Sequence, residues 1–213
     1  MVTLQLKQIR VPPGQRIILE DVSWQVFEAI INELGEYRRS RIAYSQGTLE
    51  IMAPLPEHER SKVIIGDLVK ALLDELDLNW ESLGSTTFKR KDISAGIEPD
   101  DCFYIQNYKL MIGKDRIDLT VDPPPDLAIE IDVTSKTQIS AYQALKVPEI
   151  WRYESKNLEI SLLQGERYVK SLINPTFPTF SITELIPRFV EIARTTGMSS
   201  ALRVFRQSVR KQI

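Results

Sequence analysis

Apolar and polar positions alternate along this chain with two periods, and the switch between them sets out the elements. In "LEDVSWQVFEAIINELGE", Trp24, Phe27, Ile30, Ile31 and Leu34 recur at helical spacing. Ser23 suits an N-cap and Gly35 a stop. The next stretch, "RIAYSQGTLEIMAP", holds two short alternating runs around Gln46-Gly47, the pattern of a β-hairpin. "EHERSKVIIGDLVKALLDELDLNW" carries the strongest helical signal. Val63, Ile64, Leu68, Leu72 and Leu76 form a stripe, and Ile65, Val69 and Leu73 widen it, so a deeply packed helix is predicted.

Strand signals dominate after that. "TTFKRKDISAGIEPDDCFYIQN" predicts a strand, a turn around Ala95-Gly96 and a strand from Cys102 to Ile105. A loop-rich excursion ending in prolines leads to "PDLAIEIDVTSK", with a strand from Leu127 to Val133. Ile139, Tyr142 and Leu145 mark a short helix that Pro148 ends. "IWRYES", "LEISLLQG" and "RYVKSLI" predict an antiparallel meander, and the tail reads as two helices broken near Gly197. The order is α, β-hairpin, α, mixed strands, α, β-meander, αα. It predicts a mixed α/β (α+β) fold with helices against one sheet, in one domain spanning 1–213. The core is expected over about 24–172, with a helical tail at 181–213.

Composition removes some functional classes. Hydrophobic residues at 43% and charged residues at 26% exclude a disordered or fibrous chain. A net charge of −2 leaves nucleic-acid contact to local basic patches. Two such patches are Phe88–Asp92, "FKRKD", and the face of Arg203, Arg206 and Arg210, three and four residues apart. A solvated loop and an ordinary amphipathic end are the simpler explanations of both. The single cysteine, Cys102, permits no intramolecular disulfide and fits a buried small hydrophobe in a reducing compartment. There is no apolar run of membrane-spanning length and no signal-peptide core. A soluble, cytoplasmic protein is expected.

The chemistry concentrates on the strand at 127–133. Strand side chains alternate, so Glu130 and Asp132 share one face, while Ile129, Ile131 and Val133 share the other. A solvated outer face would account for the acids. A second acidic pair, Asp100-Asp101, sits where Pro99 leads into another strand, and alone it reads as a turn or cap. If the two strands are neighbours, Asp100 and Glu130 converge on one spot. Two carboxylates and a main-chain carbonyl would make an all-oxygen pocket suited to Mg²⁺. Such an ion polarises a phosphoryl group and acidifies water, and an ammonium such as Lys136 could stabilise the developing charge.

Asp100, then Glu130 one strand later, then a lysine resembles the PD-(D/E)XK nuclease superfamily. "GTLEIMAPLPEHE", "EPDDCFYI", "PDLAIEIDVTS" and "AYQALKVPEIWRYE", in that order, resemble its Uma-two branch, a bacterial family classed as restriction-type endonucleases. The resemblance covers about Trp24 to Leu172. It implies a restriction-endonuclease-like core, a Mg²⁺ or Mn²⁺ cofactor and cleavage of DNA, with a homodimer suited to cutting two strands. Asp100 and Glu130 would be metal ligands. Asp132 stands where many members carry lysine, and the position four before Tyr142, where this branch usually has lysine, is Gln138. Lys136 is the nearest candidate for that role. Asp132, or Glu59 opening the long helix, would supplement the site. His58, the neighbour of Glu59, is the single histidine, a cap or core hydrogen-bonder unless placed for proton transfer. The rival expectation is a protein of the same fold that binds nucleic acid or a partner without cutting. The chain has no Gly-rich phosphate loop and no nucleophile triad.

Overall fold

The computed structural model describes residues 5–35, 38, 40–132 and 138–213. In chain order the elements are β1 (Arg16–Leu19), α1 (Trp24–Leu34), β2 (Arg41–Ser45), β3 (Thr48–Met52), α2 (Pro56–Glu75), β4 (Glu81–Ser82), β5 (Phe88–Arg90), β6 (Ala95–Ile97) and β7 (Asp101–Tyr104). There follow α3 (Tyr108–Met111), β8 (Leu127–Ile131), α4 (Ile139–Ala144), β9 (Glu149–Glu154), β10 (Asn157–Gln164), β11 (Arg167–Ser171), α5 (Ile182–Thr196) and α6 (Met198–Arg210).

The mixed α/β class is as predicted, but the strands divide between two sheets where the pattern anticipates one. The first is ordered β1-β3-β2-β6-β5 and the second β11-β10-β9-β8-β7-β4. The second is mixed: β8 and β9 run parallel, and its other pairs are antiparallel. Sequence periodicity reports which side chains share a face. It carries no information on which edges pair, so the division could not be read in advance.

Local signals place the elements well. The Ser23 hydroxyl accepts from Val26 N–H at 3.3 Å, capping α1, and Gly35 closes it at φ 73°. Gln46 and Gly47 both adopt positive φ, 45° and 86°, as a two-residue type I′ hairpin requires. Gly197, at φ 88°, separates α5 from α6. Two details differ. The turn expected at Ala95-Gly96 falls at 91–94, and those two residues pair within β6. Val63, expected in the buried stripe of α2, is 56% exposed because it lies on the opposite face of the helix, in line with Asp67, Lys70 and Asp74.

Each sheet has a covered face. On the six-stranded sheet, Phe103, Leu127, Ile129, Ile131, Trp151 and Tyr153 pack against α2, α5 and α6. The opposite face carries Cys102, Tyr104, Ala128 and Ile150 beneath α4. On the five-stranded sheet, Ile42, Tyr44, Leu49 and Ile51 pack against Trp24, Phe27 and Ile30 of α1. That leaves Arg41, Ala43, Glu50 and Met52, of the other parity, on its second face. They are turned toward the acidic end of β8. The candidate site lies at this junction of two sheets. No helix among the described residues is long and apolar enough to cross a membrane.

Candidate active site

The register of β7 on β8 brings the two acids together. Asp101 pairs with Ile129 and Cys102 with Ala128. Asp100, the residue just before β7, bonds back to Ile129, the partner of Asp101, and so sits at the Glu130 end of β8, where its charge acts on Glu130. Parity within β7 and β8 puts Cys102, Ala128 and Glu130 on one face, and Asp100 and Asp132, at the ends of these strands, bring their charges to Glu130. Asp100 also holds this geometry in place. Its N–H donates to Ile129 O at 3.0 Å, and its Oδ2 accepts from Ile131 N–H at 2.8 Å. One carboxylate oxygen thus extends the ladder, while Oδ1 faces the junction.

A small pocket of about 50 Å³ opens there, lined by Arg41, Glu50, Glu98, Glu130, Asp132 and Gln138 among others. Glu130 is only part-exposed and lies among acids. Burial, then the charges of Asp100 and Asp132, hold its pKa well above the usual glutamate range, with Arg41 opposing and Glu50 adding to the rise. Tyr142, from α4, donates its hydroxyl to Glu130 Oε1. Glu50 is raised too, by burial and by Asp132, although its Oε2 accepts from Arg16 at 3.0 Å. Asp132 is buried, and its N–H donates to Tyr153 O at 2.9 Å.

His58 and Arg41 approach Asp100, and Glu59 approaches both of them. His58 is 2% exposed, with Nε2 3.0 Å from Asp100 Oδ2 and Nδ1 3.5 Å from Glu59 Oε1. Neither ring nitrogen has the alignment of a hydrogen bond. Arg41 Nε lies 3.8 Å from Asp100 Oδ1, and its guanidinium reaches within 3.7 Å of Glu59 Oε1. Glu59 therefore meets the site through His58 and Arg41 and does not line the pocket itself.

The other acids near this sequence do different work. Asp101 points to the opposite face. Its Oδ1 accepts from Cys102 N–H at 2.9 Å and from Ser82 Oγ at 3.0 Å. Its Oδ2 occupies space that a Cβ on Gly66 would enter at 2.4 Å, so the glycine makes room for the carboxylate. Asp126 receives the N–H groups of Ile105, Gln106 and Asn107 at 2.7, 2.9 and 3.1 Å and fixes the loop after β7. Glu98 is buried, pairs with Arg38 and accepts from Ile42 N–H at 3.0 Å.

The structure thus brings Asp100 and Asp132 within reach of Glu130's charge, with Glu59 at the margin. Lys136 lies outside the described residues, as does the end of the predicted strand at Val133. Arg41 and Glu50 escaped the sequence reading because nothing in the hairpin indicates which sheet its second face will meet. A cue existed in the alternation Leu49, Glu50, Ile51, which assigns Glu50 to the face opposite the core. The basic patches resolve as ordinary surface. Lys89 sits 3.3 Å from Glu28 and Arg90 2.8 Å from Asp92. Arg206 lies 3.2 Å from Asp74 and 3.0 Å from Glu75, and Arg210 lies 2.5 Å from Glu75. Cys102 is fully buried, and burial with the Asp101 charge pushes its thiol up to about 12.

A family description of Uma2, "Putative restriction endonuclease", matches residues 24–195. The chain belongs to the Uma2 family. No functionally curated protein matches it. Among solved structures it is similar to "a putative nuclease belonging to DUF820" from Anabaena variabilis, at 16% identity and a TM-score of 0.43, covering 64% of this chain and 83% of that one. The Uma2 match takes in all of Asp100, Glu130, Asp132, Glu59 and Arg41.

Among the described residues, no group of three or more His, Cys, Asp or Glu is arranged as a ready metal cluster. The donor chemistry nonetheless fits a hard divalent cation. Asp100 Oδ1 and the Glu130 carboxylate are hard oxygen donors close enough for one charge to act on the other, and a bound cation would offset the burial and the acidic neighbours that raise the Glu130 pKa.

Proposed function

We propose that this Uma2 protein is a divalent-metal-dependent endonuclease that hydrolyses phosphodiester bonds in DNA. The observation that carries the proposal is that Asp100, bonded to Ile129 and Ile131 of β8, brings its charge to Glu130, which lines a pocket. Asp100 and Glu130 would hold Mg²⁺ or Mn²⁺. When bound, the ion supplies Lewis-acid polarisation of a phosphoryl oxygen and a more acidic water. The chain's own part is to aim and to tune. The ladder bonds of Asp100 fix its free oxygen, and Tyr142 orients Glu130. Asp132 and Glu50 deepen the negative field, and Glu59 steadies His58 and Arg41 at the rim. Lys136 is assigned the assisting ammonium. The protein works in the cytoplasm, as a single domain, and two copies together cut both strands.

One observation favours a second reading, a nuclease fold that binds nucleic acid or a partner without cutting. Gln138 lines the pocket with Oε1 buried and lacking a donor, at the place where the family resemblance sets lysine. Plasmid nicking separates the two. With Mg²⁺ or Mn²⁺, the wild type is expected to convert supercoiled DNA to open circles, and Asp100→Ala and Glu130→Ala to lose this while keeping their circular dichroism. A wild type that cuts neither DNA nor RNA with any divalent ion, yet retards them in a gel, sinks the enzyme and supports the binder.

A further inference from the structure

Among the described residues that line the acidic pocket, Arg41 alone is cationic. It opens β2, on the sheet that does not carry Asp100 or Glu130, and it is 21% exposed. Arginine beside carboxylates ordinarily closes into short, forked hydrogen bonds. Here the approaches to Asp100 and Glu59 stop at 3.8 and 3.7 Å, beyond the roughly 2.7–3.2 Å of an N–H···O bond. Its Nε is buried with no acceptor. The neighbouring His58, almost wholly buried, has both ring nitrogens without an aligned partner. The acids, meanwhile, are committed elsewhere: Asp100 Oδ2 to Ile131 N–H and Glu130 Oε1 to Tyr142. The guanidinium is held by the field of the acids more than by bonds, so its donors remain available.

We propose that Arg41 occupies two roles in turn, as counter-charge to the Asp100–Glu130 pocket when no metal is bound, and as a ligand for a backbone phosphate oxygen of the nucleic acid once a divalent ion has taken the carboxylates. This rests on the nuclease reading and names the protein group that receives the substrate's charge. A dication and a guanidinium compete for the same carboxylates, since each disfavours the other at short range. A phosphate diester, which brings its own negative charge to the metal, is the partner that the planar fork matches. On this reading the Arg41 charge faces the acids at rest and gives way to a metal when the pocket is loaded.

The test uses the full chain and its Arg41→Ala, Arg41→Gln and Arg41→Lys variants. MgCl₂ is titrated by calorimetry, and a short fluorescent DNA duplex is titrated with Ca²⁺ replacing Mg²⁺ to prevent cutting. Arg41→Ala and Arg41→Gln are expected to bind Mg²⁺ about fivefold tighter or more, because a unit charge has left the pocket. They are expected to bind the duplex about fivefold more weakly or worse, and Arg41→Lys to fall between on both counts. Gln retains bulk if the Ala variant fails to fold. Binding of Mg²⁺ by the variants when the wild type shows none also supports the competition. If the wild type binds Mg²⁺ and the neutral variants bind it no tighter, or the duplex no more weakly, the role for Arg41 is wrong while the nuclease reading stands. If neither wild type nor variants bind Mg²⁺, both fall together.

Discussion

Glu130 and Glu149 are both strand glutamates in the interior of the six-stranded sheet, on neighbouring strands, and both have carboxyls pushed up chiefly by burial. What surrounds them differs. Glu149 shares its face with Trp151 and Tyr153, and its oxygens accept from Trp151 Nε1, Asn174 Nδ2 and Thr176 Oγ1. Those donors offset part of the desolvation, and the group fastens β9 to the segment leading to α5. Glu130, on the other face, has the Tyr142 hydroxyl and then Asp100, Asp132 and Glu50, which all oppose its charge. A buried acid ringed by donors ties a fold together. One ringed by acids lowers stability unless a cation arrives, and that is the mark of a site.

The sharpest break in the comparison is functional. Asp100→Ala or Glu130→Ala is expected to reduce metal-dependent nicking by at least about a hundredfold, since losing even a supporting group around a metal costs on the order of 10–100-fold. Glu149→Gln should leave nicking within about twofold. Stability should show the reverse order. Glu149→Ala strands Asn174 and Trp151 without an acceptor and is expected to cost about 2–4 kcal/mol, visible as a melting temperature lower by roughly 5–12 °C. Glu130→Gln should raise the melting temperature at neutral pH, because it removes an opposed buried charge while leaving an acceptor for Tyr142.

A third buried acid, Asp101, extends the comparison on the Glu149 side. Gly66→Ala drives a methyl group onto its Oδ2 and is expected to cost about 1–3 kcal/mol by chemical denaturation, with no change in metal binding. pH separates the two kinds of site less strongly but still measurably. Glu130, Glu149 and Asp101 all titrate above their unfolded values, so the native state holds these protons more tightly. Their contribution is complete at low pH and is lost as pH rises from the ordinary carboxylate range through the raised values. The melting temperature of the Glu130→Gln variant should therefore fall less than the wild type's as pH rises, and a curve parallel to the wild type's would remove Glu130 from this set. The smallest effect belongs to the tail. Arg206→Ala with Arg210→Ala should change duplex affinity by less than about twofold, because these arginines are engaged by Asp74 and Glu75.

Much of this was legible in the sequence, for identifiable reasons. Periodicity and caps act locally, so α1, the hairpin at Gln46-Gly47, α2 and the break at Gly197 could be placed from a few residues each. The convergence of Asp100 and Glu130 needed one further assumption, that their strands adjoin. Arg41 and Glu50 were not legible. Their place in the site depends on the second face of one sheet meeting the acidic end of another, a contact between residues far apart in the chain. The reverse holds for Arg203, Arg206 and Arg210. Helical spacing gathered them on one face, but only the packing of α6 on the end of α2 brings Glu75 to Arg206 and Arg210.

The contrast between the two glutamates reduces to one thermal-shift experiment. Wild type, Glu130→Gln and Glu149→Gln are melted across a series of Mg²⁺ concentrations at fixed ionic strength. A cation that binds the native site raises the melting temperature with its concentration. The wild type and Glu149→Gln are expected to climb together while Glu130→Gln stays flat. Equal responses from all three, whether rising or flat, would contradict the assignment of Asp100 and Glu130 as the metal-holding pair.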